Sequence, residues 1–335
     1  MSAGFQLKRR QILGLFCTAG LLSQMPLTMA ATEASSGVEL LEWRGIALGA
    51  DAQLKIYHDD KVEAKQLLDL ILQEVERQEM LFSLYRDDSV ISRLNREGEV
   101  SNFASDFYYL MTLADEHFKL TQGAFNPTVQ VLWDSYRDFV MAHPEATPEM
   151  LVAEVERVRE LLDWEGIELT SERIRFAKPG QAITLNGIAQ GFITDRIVDL
   201  LKRQGIAHAL VNMGEIRGLV PSDKAAWTVG ISDPENAQEL LQQLGLANQG
   251  MATSSSIGSY LSYDKKIGHI FNPSTLQSDH RYLSVTVMAN TAAQADALAT
   301  AFSIMSLELI QETLGKLTDV TVYVLDRDRQ WYELS

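Results

Sequence analysis

Hydrophobic residues recur at helical spacing in two early stretches of the chain, and a capping pattern predicts the start of a third helix. The predicted helices cover roughly residues 62–82, 101–120 and 147–164. Thr147 has the character of a capping residue, and Pro148 follows it at the first helical position. The segment GIELTSERIRFA alternates between polar and apolar residues on both sides of a polar turn, which predicts a β-hairpin.

The second half of the chain is dominated by patterns typical of strands. The segment TLNGIAQGF contains Gly187 and Gly191 and predicts a Gly-rich turn between a strand and a helix. Further strands are predicted at WTVGIS, YLSVTVMA and VTVYVLD, while ELLQQLGLANQGMATS fits a helix or a strand. Because helices gather early and strands late, we expect an α+β fold with a mixed β-sheet core and flanking helices.

The first thirty residues have the form of an export signal. The segment begins with basic residues, including the pair Arg9 and Arg10, and continues with an apolar run over residues 12–22. It ends in the pattern Thr28-Met29-Ala30, whose small residues are typical of a cleavage site. We expect cleavage near Ala30 and a mature domain over residues 31–335. The arginine pair resembles a twin-arginine signal, although an ordinary secretory signal also begins with basic residues. Either signal implies a location outside the bacterial cytoplasm, in the periplasm.

The composition of the chain restricts which kinds of molecule the protein can bind. The only cysteine, Cys17, lies in the signal, so the mature chain is expected to have no disulfides. The whole chain has 29 basic and 45 acidic residues and a net charge of −16, and losing three basic residues with the signal makes the charge −19. This charge argues against nucleic acid and anionic membranes, and any phosphate ligand would need a local cation. No other apolar run is long enough to span a membrane, so we expect a soluble mature form.

Two polar residues interrupt the alanine-rich segment QADALATAF. Asp296 and Thr300 are four residues apart, so a helix would place both on one face. Their oxygens suit a hard cation such as Mg²⁺ or Ca²⁺. Alternatively, Asp296 is favoured by the helix dipole and Thr300 bonds back to its own helix. The spacing alone leaves both interpretations open.

Three other features have both a chemical and a structural interpretation. The Gly187 turn could bind an anion at a helix N-terminus or serve tight packing. His269, in KKIGHIFNPST, could be a general acid or base or a structural imidazole. Residues Thr253 to Ser256 offer hydroxyls to a phosphate or a flavin, but polar turns look the same. No Ser-His-Asp order or Cys-His pair suggests a nucleophile, which disfavours a covalent hydrolase.

Several motifs together resemble one known family. In chain order they are MLFSLYRDDSVISRLNR, GAFNPTV, TLNGIAQGFITDRIVDLLKRQG leading into ALVNMGEIR, ATSSS, GHIFNPST and ADALATA. In this order the chain resembles the ApbE family of FAD:protein FMN transferases over nearly all of its mature length. The resemblance implies an ApbE-like two-lobed α+β architecture with a flavin cleft. It also implies Mg²⁺-dependent transfer of FMN from FAD to a Thr or Ser hydroxyl of an acceptor protein, with release of AMP.

The same resemblance assigns roles to individual positions. The implied metal ligands are the side chains of Asp296 and Thr300 and the backbone carbonyls of Gly187 and Ala299. His269 matches a histidine implicated in the transfer, so the implied catalytic residues are His269 and Asp296. The positions implied to contact the flavin or its nucleotide are Tyr85, Ala124, Phe125, Asn126, Thr184, Gln190, Glu215 and Ile270.

The chain departs from the family pattern at several of these positions. Gln190 replaces a basic residue, Thr184 replaces an acidic one, and the motif before Glu215 has lost a glycine. A further departure is Leu276, which ends the segment NPSTL where the family has glycine. These changes resemble the NosX-like branch that accompanies nitrous-oxide respiration and imply a membrane-attached acceptor. They leave two alternative functions open. One is an FAD pyrophosphatase, which would transfer FMN to water, and the other is a non-catalytic periplasmic protein that binds flavin or assists assembly.

Overall fold

The computed structural model describes residues 28–29, 39–143, 148–255, 257, 260–261, 267–278 and 281–335. Most of the predicted export signal, including the arginine pair, Cys17 and the cleavage site at Ala30, lies outside the described residues. The proposed helix cap Thr147 and Ser256 of the hydroxyl-rich segment also lie outside them. No helix among the described residues is long and apolar enough to cross a membrane.

The part of the chain that the structure describes contains eight α-helices. They are α1 (Lys61–Phe82), α2 (Val90–Glu97), α3 (Ser105–Leu120), α4 (Gln130–Ala142), α5 (Pro148–Glu156), α6 (Asn186–Arg203), α7 (Ala292–Phe302) and α8 (Leu307–Leu314). Side-chain caps mark several starts: Asp60 accepts the backbone N–H groups of Val62 and Glu63 at α1, and Thr291 accepts that of Gln294 at α7. The helix predicted at 62–82 is therefore confirmed.

Fourteen strands form three sheets in the same described residues. They are β1 (Thr28–Met29), β2 (Glu39–Ala47), β3 (Ala50–His58), β4 (Glu99–Ser101), β5 (Glu168–Leu169), β6 (Arg173–Arg175), β7 (Ala209–Met213), β8 (Ile216–Leu219), β9 (Trp227–Ser232), β10 (Leu240–Leu246), β11 (Gly250–Ser255), β12 (Tyr282–Ala289), β13 (Thr321–Asp326) and β14 (Trp331–Leu334). The large sheet has nine strands in the order β1-β2-β3-β7-β8-β11-β12-β13-β14. Smaller sheets join β4, β6 and β5, and β9 with β10.

The α+β class is confirmed, but the sheet is not mixed. Every strand pair among the described residues is antiparallel. Short turns join β2 to β3, β7 to β8 and β13 to β14, and such turns can connect only antiparallel neighbours. The expectation of a mixed sheet was wrong because the long helical insertions return their strands in the antiparallel sense.

The core has layers on both faces of the large sheet. β12 is buried along its whole length, since both of its faces are covered. Val285 and Val287 belong to the apolar cluster that includes residues of α7, whereas Met288 lies in a cluster with Val229 and Ile231 of the β9–β10 hairpin. The helix α7 is thus packed at the centre of the molecule.

The remaining sequence predictions had mixed outcomes. The hairpin is confirmed as β5 and β6, and the ambiguous segment forms β10 and β11. The stretch 101–120 divides into the end of β4 and α3, and the helix predicted to reach residue 164 ends at Glu156. The sequence patterns did not reveal α4.

The predicted Gly-rich turn was wrong. Gly187 and Gly191 both lie inside α6, and residues 181–185, which precede it, form no strand. The two glycines give α6 close contact with α7, rather than reversing the chain.

Candidate functional site

The crossing of α6 and α7 depends on two glycines. A Cβ built on Gly191 would lie 2.2 Å from the carbonyl oxygen of Ala292, and one built on Gly250 of β11 would lie 2.3 Å from the nitrogen of Ala292. Real side chains do not approach backbone atoms this closely. The start of α7 therefore fits between α6 and β11 only because both neighbours lack a side chain.

Asp296 is buried at this crossing, with 5% of its surface exposed. Its Oδ2 accepts the backbone N–H of Gly191 at 3.1 Å. Burial raises the pKa of Asp296 to about 7; the Gly191 N–H opposes the shift, and the negative charge of Asp195 adds to it. The carboxylate is therefore an incompletely stabilised anion in the core.

Thr300 lies one helical turn beyond Asp296 and is half-buried. Its Oγ1 is 2.8 Å from a Cβ built on Gly187, so the hydroxyl lies against the first turn of α6. Ala299 is fully buried, and its carbonyl oxygen accepts the N–H of Ser303 at 3.1 Å, which leaves one lone pair. The structure thus brings together the four residues predicted as metal ligands on two packed helices.

Few charged side chains at this position could serve as metal ligands. Among the described residues, no three His, Cys, Asp or Glu side chains converge in a way that could hold a metal ion. A cation bound by Asp296 would need hydroxyl, carbonyl and ligand oxygens to complete its shell, which is the pattern of a magnesium site shared with a phosphate.

Glu215 lies near Asp296, in the turn between β7 and β8. Its Oε2 accepts the backbone N–H of Thr253 at 3.3 Å, and its backbone carbonyl accepts the hydroxyl of Thr194 at 2.8 Å. Burial, and next the charge of Asp296, raise the pKa of Glu215 well above its usual value. The negative charge of Asp296 therefore disfavours the ionised form of Glu215, and a cation bound at Asp296 would lessen this repulsion.

Gln190 extends from α6 toward the same turn. A Cβ built on Gly214 would lie 2.6 Å from Cδ of Gln190, and the backbone of Gly214 has φ +105°, which favours glycine. Gln190, Gly214 and Glu215 consequently form one wall beside Asp296.

Two of the segments predicted to contact the flavin lie side by side. The N–H of Thr184 donates to the carbonyl of Pro127 at 2.9 Å, which places Thr184 next to Asn126. Asn126 is half-buried, and its Oδ1 accepts the N–H and hydroxyl of Thr128. Ala124 is half-buried, whereas the ring of Phe125 packs against His117 in the core and its backbone N–H donates to Oγ1 of Thr121 at 3.0 Å.

Tyr85 lies between α1 and α2 and is 54% exposed. Its ring lies 3.8 Å from a Cβ built on Gly49, in the turn between β2 and β3. The backbone of Gly49 has φ +79°, so glycine suits the turn that supports this ring. Tyr85 therefore presents an aromatic face at the surface, the kind of group on which a flat ring can stack.

His269 is exposed, and Ile270 beside it is half-buried. The next residue, Phe271, packs against Tyr136 of α4 with ring centroids 4.7 Å apart, and the Tyr136 hydroxyl donates to the carbonyl of Leu276 at 3.1 Å. These contacts attach the segment over residues 267–278 to α4.

The sequence patterns missed one charged pair at the site. Asp195 of α6 is buried, and Arg217 of β8 donates to its Oδ1 at 2.6 Å. The two carboxylate oxygens also accept the N–H groups of Ala292 and Ala293, both at 2.9 Å. Burial raises the pKa of Asp195, opposed first by the charge of Arg217. A signal existed, because Asp195 interrupts the apolar segment GFITDRIV as Asp296 interrupts its own.

Comparison with known proteins identifies the class to which this site belongs. A sequence profile described as the ApbE family matches residues 48–324. An FAD:protein FMN transferase of Vibrio cholerae is 32% identical over 254 residues, covering 72% of this chain and 73% of the relative. A second, from Klebsiella pneumoniae, is 24% identical over 314 residues, covering 91% and 89%.

Solved structures show the same fold. The flavin transferase ApbE from Vibrio cholerae superposes with a TM-score of 0.74 at 24% identity, covering 89% of this chain and 98% of the other. The ApbE protein of Thermotoga maritima gives 0.75 at 24% identity, covering 89% and 97%. The protein belongs to the ApbE family, which confirms the resemblance carried by its motifs.

Proposed function

We propose that this protein transfers FMN from FAD to a Thr or Ser hydroxyl of an acceptor protein and releases AMP. The observation that carries the proposal is the buried carboxylate of Asp296, placed with Thr300 at the crossing of α6 and α7 in a chain of the ApbE family. The relatives at 24–32% identity are named for this activity.

The residues at the crossing fit a hard divalent cation, for which we propose Mg²⁺. Among the described residues, the hydrogen bond from Gly191 is the one that reaches the Asp296 carboxylate, so a lone pair remains for a metal. Asp296, the Thr300 hydroxyl and the carbonyls of Gly187 and Ala299 would hold the ion, and Ca²⁺ would fit the same oxygens. When bound, the cation neutralises charge on the two phosphates of FAD and makes the phosphorus more open to attack.

The chain's own residues bind and orient the reactants. Asn126 and Thr184 form one polar wall, Gln190 and Glu215 form another, and Tyr85 offers its exposed ring to the flavin. His269 accepts the proton of the acceptor hydroxyl while the hydroxyl oxygen attacks the phosphorus of the FMN half of FAD. The new P–O bond joins FMN to the acceptor, the pyrophosphate bond breaks, and AMP leaves with its phosphate.

The proposed location and the proposed acceptor rest on the sequence alone. The basic, apolar and small-residue pattern of residues 1–30 supports export to the periplasm, by the twin-arginine route. The departures at Gln190 and Gly214 support a NosX-like member whose acceptor is attached to the membrane.

Intact-mass spectrometry of candidate acceptor domains tests the proposal. Incubation with the protein, FAD and Mg²⁺ should add the mass of FMN to an acceptor, and the Asp296→Ala variant should not. FMN and AMP released without an acceptor would instead indicate a pyrophosphatase. FAD that binds and stays intact with every acceptor would indicate a non-catalytic flavin-binding or assembly protein.

A further inference from the structure

Asp195 and Arg217 connect three elements at the start of α7. Asp195 lies on α6, Arg217 lies on β8, and the carboxylate between them accepts two N–H groups from the first turn of α7. Arg217 also donates to the carbonyl of Asn290 at 3.3 Å, in the turn before α7. The pair therefore holds both the chain entering α7 and the first turn of that helix.

The hydrogen bonds between α6 and α7 run in both directions. The backbone of α6, at Gly191, donates to the side chain of Asp296 on α7. One turn further along α6, the side chain of Asp195 accepts from the backbone of α7. Sliding or rotation of α7 against α6 would break bonds of both kinds, so the position of Asp296 depends on the carboxylate of Asp195.

Asp195 is unsuited to bind a cation itself. Both of its oxygens already accept backbone N–H groups, and the guanidinium of Arg217, 2.6 Å from Oδ1, supplies the counter-charge. Asp296 has neither a cationic partner nor a second hydrogen bond among the described residues. The two neighbouring carboxylates thus differ in their capacity to bind a cation: the oxygens of Asp195 are fully hydrogen-bonded, whereas Asp296 keeps a lone pair for a metal.

We infer that Asp195 and Arg217 are positioning residues that set the affinity of the Asp296 site for its divalent cation. The inference rests on the proposed function, because it concerns the cation used in FMN transfer. Groups that hydrogen-bond to a metal ligand change metal affinity by about ten- to a hundredfold in known sites, and Asp195 acts one step further away, through the first turn of the helix that carries Asp296. A purely structural pair would lower stability without changing the concentration of cation that the protein needs.

The chain offers a matched control in Asp233 and Arg329. Asp233 is also buried, pairs with Arg329, and accepts a backbone N–H, from Glu235 at 2.9 Å. This pair joins the β9–β10 hairpin to the turn between β13 and β14 and contacts neither α6 nor α7 through these bonds. Asp233→Asn therefore removes a buried carboxylate from an arginine pair away from the site, although Arg329, at 47% exposed, is more open to solvent than Arg217.

The experiment compares Mg²⁺ binding by calorimetry and the rate of FMN transfer across a Mg²⁺ titration. Asp195→Asn should raise both the dissociation constant and the half-saturating Mg²⁺ concentration at least tenfold, while kcat at saturating Mg²⁺ falls less than threefold. Arg217→Lys, which keeps the charge, should restore most of the affinity, whereas Arg217→Gln should not. Asp233→Asn should lower the melting temperature and leave both Mg²⁺ values unchanged.

Three outcomes would overturn the inference. Unchanged Mg²⁺ values in Asp195→Asn and Arg217→Gln, with an active wild type, would show that the pair is only structural. Equal shifts in Asp233→Asn would show the same. Arg217→Gln keeps both backbone hydrogen bonds of Asp195, so it tests the inference even if Asp195→Asn does not fold. A wild-type protein that transfers FMN without any divalent cation would overturn the metal in the proposed function, and the inference with it.

Discussion

The α6–α7 crossing and the segment over residues 267–278 carry the two side chains predicted to be catalytic, and the fold supports them differently. Asp296 is 5% exposed and lies where α6, α7 and β11 meet with glycines at the contacts. His269 is exposed, on a segment attached to α4 through Phe271 and Leu276. The group proposed to hold the cation lies in the core, whereas the group proposed to accept the proton of the acceptor lies at the surface. Variants that disturb the packing of the first region should therefore lower stability as well as activity, and variants in the second should affect activity alone.

The largest effect is expected for Asp296→Ala, which removes the one charged side chain among the proposed metal ligands. FMN transfer should fall on the order of 10³-fold, equivalent to about 4 kcal/mol of transition-state stabilisation. The melting temperature without Mg²⁺ should not fall in the matched Asp296→Asn variant, because the wild-type carboxylate is buried without a cationic partner. Mass spectrometry of the acceptor and thermal unfolding measure the two quantities. Full transfer activity in Asp296→Ala would show that the carboxylate at the α6–α7 crossing does not take part in FMN transfer.

Gly191→Ala should give the next largest effect, this time on folding. Its Cβ would meet the Ala292 carbonyl at 2.2 Å, so α6 and α7 must separate, at a cost of about 3 kcal/mol in the free energy of unfolding. Urea titration measures the loss. Gly245→Ala is the control, since its Cβ would lie 3.5 Å from Ala226 in ordinary contact. Equal stabilities for the two variants would mean that the helices do not pack as closely as described.

His269→Ala tests the other side of the comparison. Transfer should fall about 10²-fold through loss of a proton acceptor, equivalent to roughly 2.7 kcal/mol. Because the side chain is exposed, the free energy of unfolding and FAD affinity should stay close to wild type. Stopped-flow rates, urea titration and FAD fluorescence separate these quantities. A marked loss of stability would contradict the division between core and surface roles.

The smallest expected effect is a pH dependence of Mg²⁺ binding. Mg²⁺ binds the ionised carboxylate, and the pKa of Asp296 without metal is raised to about 7 from its usual 3.8 by burial. The half-saturating Mg²⁺ concentration should therefore rise about tenfold per pH unit as pH falls below 7. Calorimetric titrations at pH 6, 7 and 8 measure it, and a flat profile would contradict the assignment.

The same shift has a consequence for the metal-free protein. Between pH 3.8 and about 7, the folded protein keeps a proton on Asp296 that the unfolded chain releases. The contribution of this group to stability is full below pH about 4 and is lost as pH rises through 7. Asp296→Asn should remove this slope from a series of melting temperatures, while the slopes from other groups remain.

The sequence revealed features that depend on local spacing and missed those that depend on packing. The placement of Asp296 and Thr300 on one helical face follows from a four-residue interval, and the structure places them so. Gly191 was interpreted as part of a turn because its role is defined by Ala292, about a hundred residues away. Local pattern cannot distinguish a glycine that turns the chain from one that admits a neighbouring helix.

Two further features, α4 and Asp195, have signals in the sequence that could have predicted them. The segment that forms α4 buries Leu132 and Tyr136 four residues apart, a helical signal hidden behind the turn motif Asn126-Pro127. Asp195 interrupts an apolar helical face as Asp296 does, so the same question about an isolated carboxylate applied to it. Its partner Arg217 lies on another strand, and only the tertiary structure joins them.

The burial of α7 between the sheet and α6 also limits how the protein can move. Nine of its eleven residues are buried, so its amide hydrogens should exchange with deuterium only when the whole domain opens. The helix that carries Asp296 therefore cannot act as a gate. Substrate entry and product release should therefore depend on motions of surface segments, and the proposed cation site should stay unchanged from one turnover to the next.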